Sequence, residues 1–510
     1  MLIESRQMVR RQLRVLSTLD VARTQLYHFM AIVIAGMGFF TDAYDFFSIS
    51  LVIDLISYHY YDGQMRSGVK AAISGIALCG AVPGQLVFGW LGDKIGRKRI
   101  YGITLVLMVV TSLASGLSFS KCQGKNVVTV LCFFRFWLGV SIGGDYPLSA
   151  TIMSEYANKR RRGAFIAAGF GNLAAGIVGM VVSAAFMNSR KSNADYVWRI
   201  VLMFGAVPAT LTYYWRMKMP ETARYTALVA KDAKKVASDM STVLNMHIVP
   251  EDEAVDELAR HDQYGLFSVE FLRRHGVHLL GTSACWLALD ITFYSLNLFM
   301  KDFFESVGLL PKLQYGDEPF GRMIHITALH TILTLCFSLP GYFFSVAFVD
   351  RIGRVRIQLL GFAMMSAFML GLAIPRYDYW RRHKYGFAAM YGLTSFFANF
   401  GPNTTTFIIP AEIFPARLRS TCHGISGAFG KIGAIIGVFA FVYTGKHNHN
   451  RGMLFALNVC NLVGLGFTLL LPESKGKALE EITGEMEEPP QPEQEAAAFA
   501  AAEYVHVVPV

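Results

Sequence analysis

The side chains able to do chemistry in this chain are charged groups set inside apolar runs. Thr41-Asp42-Ala43-Tyr44-Asp45 lies well within one such run. The i,i+3 spacing places both carboxylates on one helix face, and two close acids do not both ionise easily, so the pair suits a proton carrier. Arg135 stands within Phe133-Phe134-Arg135-Phe136-Trp137, and Asp145 follows ten residues later. That separation is roughly 15 Å along a straight helix, so the two are poor partners and each is expected to face another helix. Arg135 either neutralises Asp42 and Asp45 or binds an anion directly. The first is favoured, because a base that held the anion throughout would hinder its release. Trp286, Asp290 and Tyr294 recur at i, i+4 and i+8, one stripe offering an acid, a phenol and an indole N–H to a hydrogen-bonding solute. The plainer alternatives are an acid pair salt-bridged to Arg135 and an aromatic stripe packed around one satisfied aspartate.

These groups need helices that cross a membrane. An ionised side chain at mid-membrane costs about 2.5–3.5 kcal/mol on insertion scales, which makes such residues candidates for function. Of 510 residues, 53% are hydrophobic and 16% charged, against about a quarter charged in soluble domains. The apolar residues gather in twelve stretches, near 29–56, 70–91, 100–119, 127–149, 163–187, 197–217, 277–304, 323–348, 355–375, 385–410, 421–443 and 452–471. Roughly 20 apolar residues cross a hydrocarbon core of about 30 Å. The expected fold is therefore all-α and integral to a membrane, a lipid bilayer being its solvent.

An even number of spans puts both termini on one side. The basic loops Asp93-Lys94-Ile95-Gly96-Arg97-Lys98-Arg99, Asn158-Lys159-Arg160-Arg161-Arg162, Asp350-Arg351-Ile352-Gly353-Arg354 and Arg417-Leu418-Arg419 share that side, which should be cytosolic. The loop with Arg376, Arg381, Arg382 and Lys384 falls on the other. The resulting division is a cytosolic N-terminal segment (1–26), a six-helix half (27–217), a cytosolic central loop (218–276), a second six-helix half (277–472) and an acidic, disordered cytosolic tail (473–510).

Several classes of function are excluded. The net charge is +10, but the bases are scattered through short loops and not gathered on one face, so no nucleic-acid partner is expected. Met1 to Arg23 is basic and amphipathic without an apolar h-region, hence no cleavable signal. Cys79, Cys132, Cys285, Cys336 and Cys460 lie in apolar runs without metal-ligand spacing and read as packing. No nucleophile–base set appears, so neither enzyme chemistry nor a cofactor or metal is expected.

The halves repeat. Gly92-Asp93-Lys94-Ile95-Gly96-Arg97 returns as Val349-Asp350-Arg351-Ile352-Gly353-Arg354, an offset of 257 between the aspartates. Glu155 with Arg160 returns as Glu412 with Arg417, again 257 apart. Pro220-Glu221-Thr222 closes the first half and Pro472-Glu473-Ser474 the second. Duplicated parallel halves place a substrate site at their interface near the bilayer midplane. Asp93, Arg97, Glu155, Arg160, Asp350, Arg354, Glu412 and Arg417 are expected to latch the halves on the cytosolic side by charge-assisted hydrogen bonds that break when the molecule opens inward. The alternative is that the loops serve topology alone. Gly424, Gly427, Gly430, Gly433 and Gly437, with the Gly139/Gly143 pair, read as helix-packing positions.

Longer strings carry a resemblance. Gly36-Met37-Gly38-Phe39-Phe40-Thr41-Asp42-Ala43-Tyr44-Asp45, then Gly143-Gly144-Asp145-Tyr146-Pro147-Leu148-Ser149 running into Ser154-Glu155-Tyr156-Ala157-Asn158-Lys159-Arg160, are similar to the plant and fungal phosphate:proton symporters of the major facilitator superfamily. So are Asn399-Phe400-Gly401-Pro402-Asn403, Pro410-Ala411-Glu412-Ile413-Phe414-Pro415-Ala416-Arg417 and Pro472-Glu473-Ser474-Lys475-Gly476. The plant members look closest. The resemblance implies uptake of inorganic phosphate with protons by alternating access, at a plasma membrane. It implies a phosphate site of Tyr146, Trp286, Asp290, Tyr294 and Asn403. It also implies proton-linked roles for Asp42, Asp45 and Asp145, with Arg135 as charge partner. Tyr146 and Asn403 are themselves 257 apart, and so face one another across the pseudo-two-fold axis.

Two positions depart from the family pattern. Ala168 stands where the family has a phosphate-binding Gln before Gly169-Phe170-Gly171, in a run that looks a few residues short. Leu296 replaces another usual Gln. A lost hydrogen bond to a charged group is worth about 1.5–3 kcal/mol. Asn172, four residues after Ala168 and on the same face, is the candidate replacement. The rival readings are a facilitator for a sugar or organic cation, and a phosphate sensor whose transport is residual.

Overall fold

An unpaired backbone N–H or C=O in hydrocarbon costs several kcal/mol, so apolar runs of this length have helix as their only open-ended solution. The computed structural model describes residues 26–119, 125–156, 166–187, 193–218, 221–222, 225–226, 229, 264–310, 319–444, 450–477 and 479–483. Among them the regular structure is entirely helical. The N-terminal segment, most of the central loop, Arg160 and the tail from 484 lie outside the described residues.

The first half contains α1 (Leu26–Tyr61), α2 (Ser67–Ile95), α3 (Arg97–Gly116), α4 (Lys125–Tyr156), α5 (Ile166–Ala185), α6 (Ala194–Met203) and α7 (Ala206–Lys218). The second contains α8 (Val269–Leu298), the short α9 (Met300–Ser306), α10 (Pro319–Leu333), α11 (Leu339–Ile352), α12 (Arg354–Ala373), the short α13 (Tyr377–Arg382), α14 (Lys384–Asn399), α15 (Pro402–Ile413), α16 (Arg419–Thr444) and α17 (Asn450–Thr468), followed by α18 (Leu479–Thr483). Ten stretches are long and apolar enough to cross a membrane. With α1 and the broken α14–α15 they make twelve crossings among the described residues. Large apolar side chains such as Val87, Val110, Leu211 and Leu469 point outward, whereas Asp42, Asp45, Asp145 and Asp290 are each at most 2% exposed. That arrangement suits lipid outside and polar work inside.

Three spans differ from the continuous helices that the apolar runs predict. The sixth breaks at Phe204-Gly205, where Pro208 cannot donate to Phe204 and Val207 N instead bonds the Phe204 carbonyl at 3.0 Å. The eighth joins α10 to α11 through a π-turn, Thr334–Ser338, next to Pro340. The tenth stops at Asn399 and restarts at Pro402, because Pro402 fits the first turn of a helix but not its interior. The seventh span starts earlier than the central-loop boundary of 276. Val269 opens it, and the Ser268 side chain caps it by accepting from Phe271 N at 3.1 Å.

The repeated loops share one construction. Gly96 and Gly353 both adopt φ +111° with extended ψ, a region that side chains avoid. Each opens the next helix, whose first N–H groups need acceptors. Glu221 takes Arg97 N at 3.2 Å and Lys98 N at 3.2 Å. Glu473 takes Arg354 N at 2.9 Å and Val355 N at 3.1 Å. Glu221 and Glu473 thus cap the helices that follow the two glycines, and Glu473 belongs to the folded bundle and not to a free tail.

Glycine also sets the distance between the halves. A Cβ on Gly424 of α16 would lie 2.3 Å from the Gln85 carbonyl of α2, and one on Gly433 2.3 Å from the Leu287 carbonyl of α8. α16 is therefore wedged backbone to backbone between the first half and its own.

Gly353→Ala forces a side chain into the glycine-only region, with its Cβ 2.5 Å from Glu473 Oε2. The expected loss is about 1–3 kcal/mol, read as a lower midpoint of thermal unfolding in detergent. Gly452→Ala, with nothing within 4 Å of the added carbon, should leave the midpoint unchanged.

Candidate functional site

A cavity of about 60 Å³ lies between the halves, lined among others by Tyr146, Asn172, Trp286, Asp290, Tyr294, Asn403 and Lys431. A water needs roughly 10–15 Å³ by the same measure, so the space takes about four to six water-sized groups, the size of a tetrahedral oxyanion. All five residues implied as a phosphate site meet here. α8 supplies the Trp286, Asp290, Tyr294 stripe because that spacing turns one face of the helix inward. Tyr146 comes from α4 and Asn403 from the first turn of α15. The break at Gly401 lets Asn403 reach the cavity. Its amide donates to Tyr342 Oη at 2.8 Å and to Asn399 Oδ1 at 2.7 Å.

The charge in this cavity is Lys431 of α16, which sequence reasoning passed over. Its ammonium donates to Asp290 Oδ2 at 3.0 Å and to Tyr294 Oη at 2.8 Å, and it is 2% exposed. It also lies 4.5 Å from the Tyr294 ring centroid and 5.0 Å from that of Tyr146. Aromatic rings close one end of the cavity: Phe407 meets Phe39 edge-on at 4.9 Å, and Trp286 and Tyr146 lean on Phe407 at 5.8 and 5.7 Å. The walls are thus apolar, with one cation and a few fixed donors facing in, the make-up of a small-anion site.

The two family departures fall differently. Ala168 lines the cavity, and so does Asn172, whose Oδ1 is buried without a hydrogen-bond partner. Leu296 does not line it. Its side chain packs in the core, and its carbonyl accepts from Tyr391 Oη at 2.6 Å.

The carboxylates of the first and fourth spans form a separate polar centre inside the first half. Asp145 is fully paired. Arg216 Nη1 meets its Oδ1 at 2.9 Å, and the Thr104 and Ser149 hydroxyls approach its oxygens at 3.4 and 3.3 Å. Arg216 in turn stacks over Tyr101 at 3.9 Å. It sits near the end of the sixth span and is a second functional candidate that sequence reasoning missed.

Asp42 lies within electrostatic reach of Asp145, Arg216, Asp45 and the cavity's Lys431, yet no hydrogen bond reaches either of its oxygens. Asp45 packs its carboxylate against Gly205, where an added Cβ would lie 2.0 Å from Oδ1. Ser112 lies beside Asp45 but donates to the Leu202 carbonyl at 3.2 Å. The two aspartates thus feel one another's charge but pack their carboxylates against different neighbours. Arg135 also differs from expectation. It donates to the backbone carbonyl of Asp45 at 3.0 Å, and its Nε and Nη1 have no hydrogen-bond partner. It is near Asp45 but makes no ion pair with it, and it is remote from the cavity lining.

Of the described residues expected to form a latch, those of the first half bond across to the second and those of the second do not. Asp93 accepts from Thr421 N and Thr421 Oγ1, both at 2.7 Å, and Arg97 donates to the Ala416 carbonyl at 2.7 Å. Arg97 also pairs with Glu155 at 3.3 Å, and Glu155 with Arg419 of the other half at 3.1 Å. In the second half, Arg354 joins Asp350 at 2.7 Å and Glu412 at 3.2 Å, all within that half. Arg417 takes no part in the cross-half bonds. It stacks on Tyr264 at 4.2 Å, and Arg419, two residues on, carries the latch instead. Arg160, its expected repeat partner, lies outside the described residues.

Comparison with known proteins agrees with this geometry. A family model described as sugar (and other) transporter matches residues 30–485. A putative inorganic phosphate transporter 1-13 of Oryza sativa subsp. japonica is 71% identical over 507 residues, 98% of this chain and 99% of that protein. A low affinity inorganic phosphate transporter 1 of Petunia hybrida is 56% identical over 517 residues, 94% of this chain and 96% of that one. Among solved structures, the proton:xylose symporter XylE bound to 6-bromo-6-deoxy-D-glucose superposes with TM-score 0.68 at 20% identity, covering 90% of this chain and 99% of that one. At that identity the likeness concerns the fold alone: two six-helix halves of an all-α membrane bundle. The chain belongs to the sugar (and other) transporter family of the major facilitator superfamily, in the group of the plant inorganic phosphate transporters.

Proposed function

We propose that this protein carries inorganic phosphate together with protons by alternating access, from the outside of a plasma membrane to the cytosol, with both termini and the latch on the cytosolic side. One observation carries the reading. The cavity between the halves holds a single lysine whose carboxylate partner, Asp290, can be replaced by a monovalent oxyanion of the same charge. The identity with named phosphate transporters along the whole chain supports phosphate as that oxyanion. A sugar would use the amides and aromatics but not the lysine, and an organic cation would be repelled by it.

The carboxylates then divide the labour. Asp145 is held in an ion pair by Arg216 and approached by two hydroxyls. Asp42 and Asp45 are buried without hydrogen-bond partners on their carboxylates. We assign them, together with Asp290, the carrying of protons. Tyr146 follows Asp145 on α4 and faces the cavity, so one helix touches both centres. When Asp290 is protonated, Lys431 is free for phosphate. The halves then rock, and loss of the Asp290 proton on the cytosolic side restores the Lys431 pair and expels the anion. A monovalent phosphate entering a negative interior works against about 2.3 kcal/mol per 100 mV. One proton cancels that cost, and a second makes the cycle inwardly electrogenic.

Three outcomes follow. Lys431→Gln should weaken phosphate binding about ten- to a hundredfold, the loss of a charge-assisted bond. Asp290→Asn should bind phosphate at least as tightly yet release it slowly, with about tenfold lower turnover. Labelled-phosphate binding and uptake in proteoliposomes read both, and wild-type values in the two variants would refute the assignment. Accumulation should rise about tenfold per pH unit of inward proton gradient for each coupled proton. A slope near zero would remove proton coupling.

Arg216→Gln should destabilise the protein by about 3–5 kcal/mol, because Asp145 is left as an uncompensated buried charge. Arg216→Gln with Asp145→Asn should cost less than the sum of the two single changes, measured by thermal unfolding in detergent. Strict additivity would show that the pair does not act as a unit.

A further inference from the structure

The end of the bundle opposite the latch is closed by a second set of ion pairs, which no motif or repeat announces. Asp54, two turns beyond the cavity residue Phe47 on α1, receives Lys301 of α9 on Oδ1 and Arg322 of α10 on Oδ2, the latter at 3.4 Å. Arg322 also pairs with Glu305 of its own half. Lys70 of α2 meets Asp302 of α9 at 3.1 Å and lies over the Phe299 ring at 5.5 Å. Asp54 and Lys70 belong to the first half, the others to the second, so this cluster ties the halves together just as the latch does at the other end. Lys301 is 6% exposed.

The geometry of Asp54 is that of a bound oxyanion: each carboxylate oxygen meets a different cation, one ammonium and one guanidinium. Both cations belong to the half that Asp54 does not. If the halves part at this end, Asp54 leaves with α1. Arg322 retains Glu305, Asp302 loses Lys70, and the position between Lys301 Nζ and Arg322 Nε is vacated with both cations still in place. That position lies directly above the cavity. Lys301 is four residues beyond Asn297, a cavity residue, and Phe47 to Asp54 spans roughly 10 Å of helix.

We propose that Lys301 and Arg322 form the first binding site for phosphate at the outer mouth, and that Asp54 is the internal carboxylate that displaces it inward as the mouth closes. Arrival of phosphate competes with Asp54 and favours the open mouth. Return of Asp54 hands the anion down to Lys431. The inference rests on the phosphate reading above and adds a second site to it.

The test is the concentration dependence of labelled-phosphate uptake by the full chain in proteoliposomes. Lys301→Gln should raise KM about five- to tenfold with little change in kcat, and Lys301→Arg should restore the wild-type KM. Asp54→Asn, which removes the internal competitor and keeps both cations, should lower KM and slow turnover because the mouth closes poorly. A Lys301→Gln protein with wild-type KM, or one that loses only kcat, would make the cluster a strut and overturn the proposal. If Lys301→Gln does not fold, Asp54→Asn decides alone: an unchanged or raised KM overturns it. Wild-type protein that moves no phosphate would end the phosphate reading as well, an outcome distinct from normal wild-type flux with an unaffected variant.

Discussion

Lys431 is the constraint around which the rest is arranged. An ammonium sealed in the middle of a membrane protein needs an anion beside it, since the unpaired charge is intolerable in a medium of low dielectric. Asp290 supplies that anion, and Tyr294 Oη accepts a second bond from the ammonium. Anything that takes the site must replace a carboxylate one for one, so the site selects for charge before it selects for shape. The aromatic rings around it contribute the shape. They exclude water, which strengthens each remaining electrostatic contact.

Placement of this lysine on α16 gives it leverage. The helix is held at backbone distance from α2 of one half and α8 of the other by its glycines. Its first turn supplies Ser420 and Thr421 to the latch aspartate, Asp93. Lys431 lies about 15 Å farther along the same rigid rod. A change in what Lys431 binds and a change in whether the latch holds therefore act on one body. The buried carboxylates of the first half reach the cavity in two ways: Asp42 lies within electrostatic reach of Lys431, and α4 carries Asp145 and Tyr146 side by side.

Much of this was legible in the sequence because helical periodicity and duplication leave simple traces. The i, i+4, i+8 stripe of Trp286, Asp290 and Tyr294 needs one face of one helix, and the constant 257-residue offset predicted that Tyr146 and Asn403 would meet. The separation of Arg135 from Asp145 followed from helical rise. What failed to show depends on tertiary placement. Lys431 was masked by the glycine repeat around it, although an intramembrane lysine is a candidate by the same rule that singled out Asp42. Arg216 sits next to Lys218 at a span end, where a base reads as a loop anchor. Only packing against α4 turns it inward. Arg417 was chosen over Arg419 by the repeat offset, but the turn at 416–418 presents the later arginine to Glu155. The breaks at Gly205 and Gly401 were signalled locally by Pro208 and Pro402, but a reading by apolar length alone runs through them.

The central claim is that phosphate and Asp290 alternate on Lys431. A structure of the protein at saturating phosphate and mildly acidic pH tests it most directly. The account predicts a tetrahedral anion bonded to Lys431 Nζ, with Tyr146, Trp286 and Asn403 around it and the Asp290 carboxylate drawn away from the ammonium. Lys431 still paired with Asp290 beside an empty cavity, or phosphate ordered elsewhere in the bundle, would contradict it.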